Sequence, residues 1–254
     1  MKTRIISGLI GLILLLTIVK IGGYTLKIGV LLITLIGIKE FINAFKNINV
    51  KVSKYIYIYA VVLFIFSIIG EYNMVNFSIV LNIITLLIIF VFNKNYNIQE
   101  ISISLLGSIY IPYSLIHISY LDGNLAIWLI FIIAWSTDTF AYFIGNLIGK
   151  RKLSPNLSPK KTLEGAIGGI IGSFLTTTLF VVYFNLDKIV LFMLLSIVCS
   201  VASQIGDLTA SKIKRNIGIK DYGKIMPGHG GVLDRFDSIL FISPIIFIFI
   251  TYLL

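Results

Sequence analysis

Long, nearly unbroken apolar stretches fix what this chain can become. They cover about 5–19, 24–38, 55–70, 75–92, 101–120, 125–144, 163–184, 189–209 and 236–253. A helix needs about 20 apolar residues to cross a bilayer. These runs are therefore expected to form an all-α, polytopic transmembrane helix bundle of about nine spans. The first three are short by that measure and must borrow flanking residues or cross a thin region. A membrane β-barrel would show ten-residue alternations instead. Composition excludes the other classes. The 254 residues are 57% hydrophobic and 13% charged, too little polar surface for a soluble domain of this size and too apolar for disorder. The first run follows Lys2 and Arg4 like a signal peptide, but no small-residue cleavage site follows, so it is read as a retained helix. Cys199 lies in an apolar run with no CxxC or His partner and is expected to be a small core residue.

The net charge of +10 is read as positive-inside loops and anionic lipid headgroups, not nucleic acid. With nine spans and a cytoplasmic N-terminus, all of the 21 Lys and Arg except Lys20, Lys27 and Lys188 fall on the cytoplasmic side. A missed span would reverse every later loop, so this asymmetry supports the topology and places the C-terminus outside the cytoplasm. The expected division is an N-terminal set of helices (1–120) and a C-terminal catalytic region (121–254). The latter has two long cytoplasmic loops, 145–162 and 210–235.

Three segments carry polar residues that hydrocarbon does not tolerate without cause. In AWSTDTFAYFIGNLIGK, Asp138 lies deep in a span, where an ionisable residue needs a cavity, a metal or a partner. Tyr142 follows it at i+4, and Gly145 and Gly149 suit close packing. In SPKKTLEGAIGG, Ser158-Pro159 reads as a helix start, with Lys160 and Lys161 in the first turns, poised for phosphate. Glu164 is then placed to pair with Lys160 at i+4. Gly165, Gly168, Gly169 and Gly172 make one smooth helix face. The third segment holds Asp207, Ser211, Lys212, Lys214, Arg215, Lys220, Asp221, Pro227, Gly228, His229, Gly230, Gly231, Asp234, Arg235 and Asp237. Asp234 and Asp237 are i,i+3 at the start of the last helix. With Asp207 they form an oxygen-rich set suited to Mg²⁺. The surrounding Lys and Arg suit polyphosphate. His229 lacks partners at zinc spacing and reads as a turn residue or phosphate hydrogen-bond donor ahead of a general base. No P-loop and no GxSxG occurs.

At this third segment the chain resembles the phosphatidate cytidylyltransferases, or CDP-diacylglycerol synthases. The matching signature runs Ser211-Lys212-Ile213-Lys214-Arg215, then Lys220-Asp221, Pro227-Gly228-His229-Gly230-Gly231 and Asp234-Arg235-Phe236-Asp237. AWSTDTFAY at 134–142 and SPKKTLEG at 158–165 also resemble family motifs. Ala210 stands where many members have Glu, and Leu163 where many have Trp.

The resemblance implies metal-assisted transfer from CTP to phosphatidate, giving CDP-diacylglycerol and pyrophosphate. It implies a homodimer in the cytoplasmic membrane, its active site facing the cytoplasm. It assigns Asp207, Asp234 and Asp237 to the divalent metal and leaves room for a monovalent cation. Catalytic roles fall to these acids with Lys161 and Arg215. Substrate contacts fall to Asp138, Lys160, Ser211, Lys214, Lys220, Asp221, His229 and Arg235. The residues alone leave two alternatives open. One is a membrane lipid kinase or CTP-dependent transferase acting on an isoprenoid or ether-lipid phosphate. The other is an ion or metabolite transporter using Asp138 and Asp207.

Overall fold

The computed structural model describes residues 2–253 apart from Glu71, Asn156, Met226, Pro227 and His229, with side chains from Ser7 onward. The helices are α1 (Lys2–Ile21), α2 (Gly23–Lys46), α3 (Tyr55–Ile69), α4 (Asn73–Phe92), α5 (Ile98–Ser108) and α6 (Ser114–Tyr120). A π-turn, Ile109–Tyr113, joins α5 to α6 around Pro112. Then come α7 (Ile127–Ile148), the strands β1 (Lys152–Ser154) and β2 (Ser158–Thr162), α8 (Leu163–Tyr183), α9 (Ile189–Asn216) and α10 (Leu233–Tyr252). Six helical stretches among the described residues are long and apolar enough to cross a membrane, and Ser7–Ile21 and Tyr55–Ile69 are shorter apolar helices. The protein is a polytopic helical membrane protein.

The short second run gains its length as expected. α2 continues through Lys39 to Lys46, reaching 24 residues, about 36 Å. Its start is fixed from a distance: Gly23 N–H donates to Asp122 Oδ2 at 2.8 Å. Gly22 precedes it at φ 66°, and a side chain there would meet the same carboxylate. α3 stays at 15 residues and ends on Gly70 in the left-handed conformation, φ 85°. α5 opens with a capping box in which the Asn97 side chain and Glu100 exchange bonds with each other's backbone N–H.

The chain forms two compact units. One holds Met1–Gly123 with Asn216–Phe236, the other Asn124–Arg215 with Asp237–Leu254. The segment 216–236 belongs with the N-terminal helices. In the first unit Tyr59, Leu63, Val75 and Ile116 form a buried core cluster. Two buried polar bridges tie its helices: Tyr59 and Ser78 hydroxyls at 3.1 Å, and Asn82 Nδ2 donating to Ser108 Oγ at 2.7 Å.

In the second unit the glycine face of α8 lies against α7. A Cβ on Gly169 would come within 2.8 Å of the Thr137 carbonyl oxygen, and one on Gly165 within 2.7 Å of the Ala141 carbonyl oxygen. The small residues allow the two backbones to approach this closely, as in membrane helix pairs generally. α9 joins them through Thr137–Ser200 at 2.8 Å and Gln204 Nε2 donating to the Ala166 carbonyl at 3.1 Å. Cys199 is fully buried and unbonded to another cysteine, as expected.

Candidate active site

The expected loop 145–162 is a structured hairpin, and Ser158-Pro159 does not start a helix. β2 runs antiparallel to β1, pairing Lys152 with Thr162 and Ser154 with Ser158. The reason is local. A residue before proline favours extended backbone, and an edge strand tolerates proline. Thr162 takes the N-cap, its Oγ1 accepting from Gly165 N–H at 3.1 Å. Lys160 and Lys161 therefore sit on a strand, not in a helical turn. Glu164 does not pair with Lys160 either. Its carboxylate accepts the backbone N–H of Lys150 (3.0 Å) and of Arg151 (3.2 Å), fastening the hairpin's start.

The hairpin delivers Lys161 to Asp207 of α9, with which it forms an ion pair; both side chains are partly exposed. Asp207 and Asp138 act electrostatically on Asp237 of α10, and so does the Lys214 ammonium. Lys214 is 9% exposed, unusual for lysine. α9 and α10 approach at Gly206, where a Cβ would lie 2.6 Å from the Asp237 carbonyl oxygen. Asp237 Oδ1 accepts from Ser238 N–H at 2.8 Å. Asp138 is on the exposed side of α7, as is Tyr142. These three acids and two lysines share one region of the second unit.

The second long loop is shorter than expected. α9 continues to Asn216, so Ser211, Lys212, Lys214 and Arg215 are helical and only 217–232 separates α9 from α10. Lys and Arg in a last helical turn are favoured by the helix dipole. Arg215, Lys220, Asp221 and Arg235 are exposed. His229, Pro227 and Met226 lie outside the described residues. In the first unit Asp234 shapes this loop: its Oδ2 accepts from Tyr222 N–H at 2.8 Å and from Gly231 N–H at 2.9 Å.

Sequence reasoning missed Glu40. It lies on α2, 4% exposed, and its two oxygens accept from Val232 N–H and Leu233 N–H, each at 2.9 Å. Glu40 lies just past the run read as 24–38, and the available signal was that Phe41, Ile42 and Phe45 continue the apolar pattern beyond it. The acids thus divide by task. Glu40, Glu100, Glu164 and Asp234 each accept two backbone N–H groups. Asp207 and Asp237 face side-chain charges, with Asp237 also accepting one backbone N–H. Among the described residues no group of three or more His, Cys, Asp or Glu is gathered closely enough to hold a metal ion. Of the expected trio, Asp207 and Asp237 belong to the second unit, and Asp234 belongs to the first, where its Oδ2 serves the loop backbone.

A sequence model of the cytidylyltransferase family matches residues 2–253. The chain belongs to the cytidylyltransferase family. Among curated relatives, the phosphatidate cytidylyltransferase of Staphylococcus haemolyticus (strain JCSC1435) is 37% identical over 97% of both chains. Those of Staphylococcus epidermidis (strain RP62A) and Staphylococcus aureus (strain COL) are 34% and 35% identical, again over 97% of each chain. The likeness of this cytidylyltransferase-family chain to its relatives extends through the N-terminal helices, where motif reading found only apolar spans.

Proposed function

We propose that the protein transfers the cytidylyl group of CTP to phosphatidate, releasing pyrophosphate and leaving CDP-diacylglycerol in the membrane. The observation that carries this reading is the full-length likeness to phosphatidate cytidylyltransferases. The charge arrangement around Asp207 agrees with it. A phosphate monoester oxygen of the lipid attacks the α-phosphorus of CTP. One P–O bond forms there, the bond to the bridging oxygen breaks, and pyrophosphate leaves with that electron pair. The nucleophile is already an anion and needs no base. It needs neutralisation and alignment.

Lys161 and Lys214 are placed to neutralise phosphate oxygens, with Arg215 reaching from the exposed end of α9. Asp207 and Asp237 offer only oxygen donors, which fit a hard divalent cation such as Mg²⁺. When bound, the ion would offset charge on the nucleotide oxygens. The cation asymmetry of the loops supports a cytoplasmic active site in the cytoplasmic membrane. A homodimer follows from the family resemblance.

The test is product formation by the purified protein in detergent, with CTP, dCTP and ATP offered against phosphatidate, an ether-lipid phosphate and a prenyl phosphate. CDP-diacylglycerol from CTP and phosphatidate is expected at the highest rate. Preferential use of ATP, or of the prenyl phosphate, would overturn the assignment.

A further inference from the structure

We propose that Glu40 is a positioning residue for cytidylyl transfer, holding the signature loop and the first turn of α10 in the conformation the reaction requires. The proposal rests on the functional reading above and adds a residue that the signature does not contain.

Three observations carry it. First, the contact is two-pronged. Oε1 takes Val232 N–H and Oε2 takes Leu233 N–H, both at 2.9 Å, across 192 and 193 residues of sequence. The opening N–H groups of a helix have no partner within it, and a carboxylate is their best external acceptor. Second, the loop makes room for this carboxylate and no more. A Cβ on Gly231 would lie 2.5 Å from both Glu40 oxygens, and one on Gly223 would also collide with them. The glycines at 223 and 231 are therefore explained by Glu40, not by their own backbone angles. Third, Asp234 holds the same loop through Tyr222 N–H and Gly231 N–H. The backbone at Tyr222 and at Gly231–Leu233 is gripped by two carboxylates, one from α2 and one from α10. The gripped residues Gly231–Leu233 lead directly into Asp234 and Arg235. Phosphate contacts from such a segment depend on backbone position to a fraction of an ångström.

Glu40 is 4% exposed and meets backbone atoms. It does not touch the reacting atoms and acts only through the loop. Glu40→Gln keeps the volume but turns one acceptor into a donor that faces an N–H. Glu40→Ala removes both bonds. Gly231→Ala leaves Glu40 in place and displaces its carboxylate.

The experiment measures CTP turnover, KM for CTP, thermal stability and amide hydrogen exchange on the full-length protein and these variants, with the double variant Glu40→Ala/Gly231→Ala completing a cycle. Turnover is expected to fall at least about tenfold in Glu40→Ala, the equivalent of one charge-assisted hydrogen bond. Glu40→Gln should fall between it and the parent. Exchange should accelerate at 217–235 and not in α7 or α8. Gly231→Ala should add little once Glu40 is gone, because both changes break the same contact. Parent-like turnover with unchanged local exchange in Glu40→Ala and Gly231→Ala would overturn the proposal. So would a general loss of stability with parent-like turnover per folded molecule, or full additivity in the cycle. A parent that made no CDP-diacylglycerol would sink the functional reading. The exchange data would then decide the Glu40 grip alone, local acceleration supporting it and its absence refuting it.

Discussion

Lys161, on the second strand of a short hairpin, forms an ion pair with Asp207, on a helix 46 residues further along the chain. The pair lies where Asp138 and Asp237 add negative charge and Lys214 adds positive charge. Its partners are 28% and 27% exposed, so it adds at most about 1 kcal/mol to stability. In the proposed function its importance is chemical: it places an ammonium group beside a carboxylate proposed for the divalent cation.

Lys161→Met should lower turnover at limiting CTP or phosphatidate by about tenfold or more, because a phosphate oxygen loses a charged donor worth about 1.5–3 kcal/mol. Its melting point should fall slightly in chelator, where Asp207 then lacks its counter-charge, and recover with Mg²⁺. Arg215→Met, exposed at the end of α9, should affect the kinetics without that melting response. Parallel kinetics and thermal melts with and without Mg²⁺ check both. Parent-like kinetics in both variants would remove these cations from the site.

Asp207→Asn and Asp237→Asn should abolish turnover, or leave a remnant regained only at much higher Mg²⁺, since an amide keeps shape but loses the charge a hard cation needs. In chelator each variant should melt at or above the parent temperature, because like-charge repulsion is relieved. Asp234→Asn should be milder, since an amide oxygen can still accept from Tyr222 and Gly231 N–H. Asp234→Ala should be severe. Mg²⁺ titrations of activity across the series separate the roles. Equal Mg²⁺ dependence in Asp234→Asn and Asp237→Asn would place all three acids on the ion.

Gly169→Ala should destabilise the α7–α8 pair by about 1–3 kcal/mol. Its new methyl would lie 2.8 Å from the Thr137 carbonyl oxygen, a backbone atom that cannot rotate away. Thermal melting in detergent measures this. An unchanged melting point would mean that the seam is looser than described.

In a Cys199→Ser background, Asp187→Cys should react with a membrane-impermeant thiol reagent added to intact cells, and Lys224→Cys should not. The expectation comes from the loop charges. Equal labelling of the two positions would overturn the orientation. Cys199 is the single cysteine of the chain, so this background removes every native thiol from the assay.

The spans and the motif segments were legible in the sequence because both are local properties. Transfer of an apolar run into hydrocarbon depends on that run alone, so helix positions followed from residue order. The glycine face of α8 was legible for the same reason. Ser158-Pro159 was misread because a proline can open a helix or sit in an edge strand. The choice was made by pairing with Lys152–Ser154, ten residues or fewer away but outside any helical pattern.

What the sequence could not decide is which charge meets which. It named Lys161, Asp207, Lys214, Asp234 and Asp237 as candidates. Only the tertiary structure paired Lys161 with Asp207, turned Asp234 toward the loop backbone, and brought Glu40 of α2 to the start of α10. A buried carboxylate must find donors wherever the folded chain supplies them. Here those donors are backbone N–H groups, identical at every residue and therefore invisible in the sequence until the fold brings them to hand.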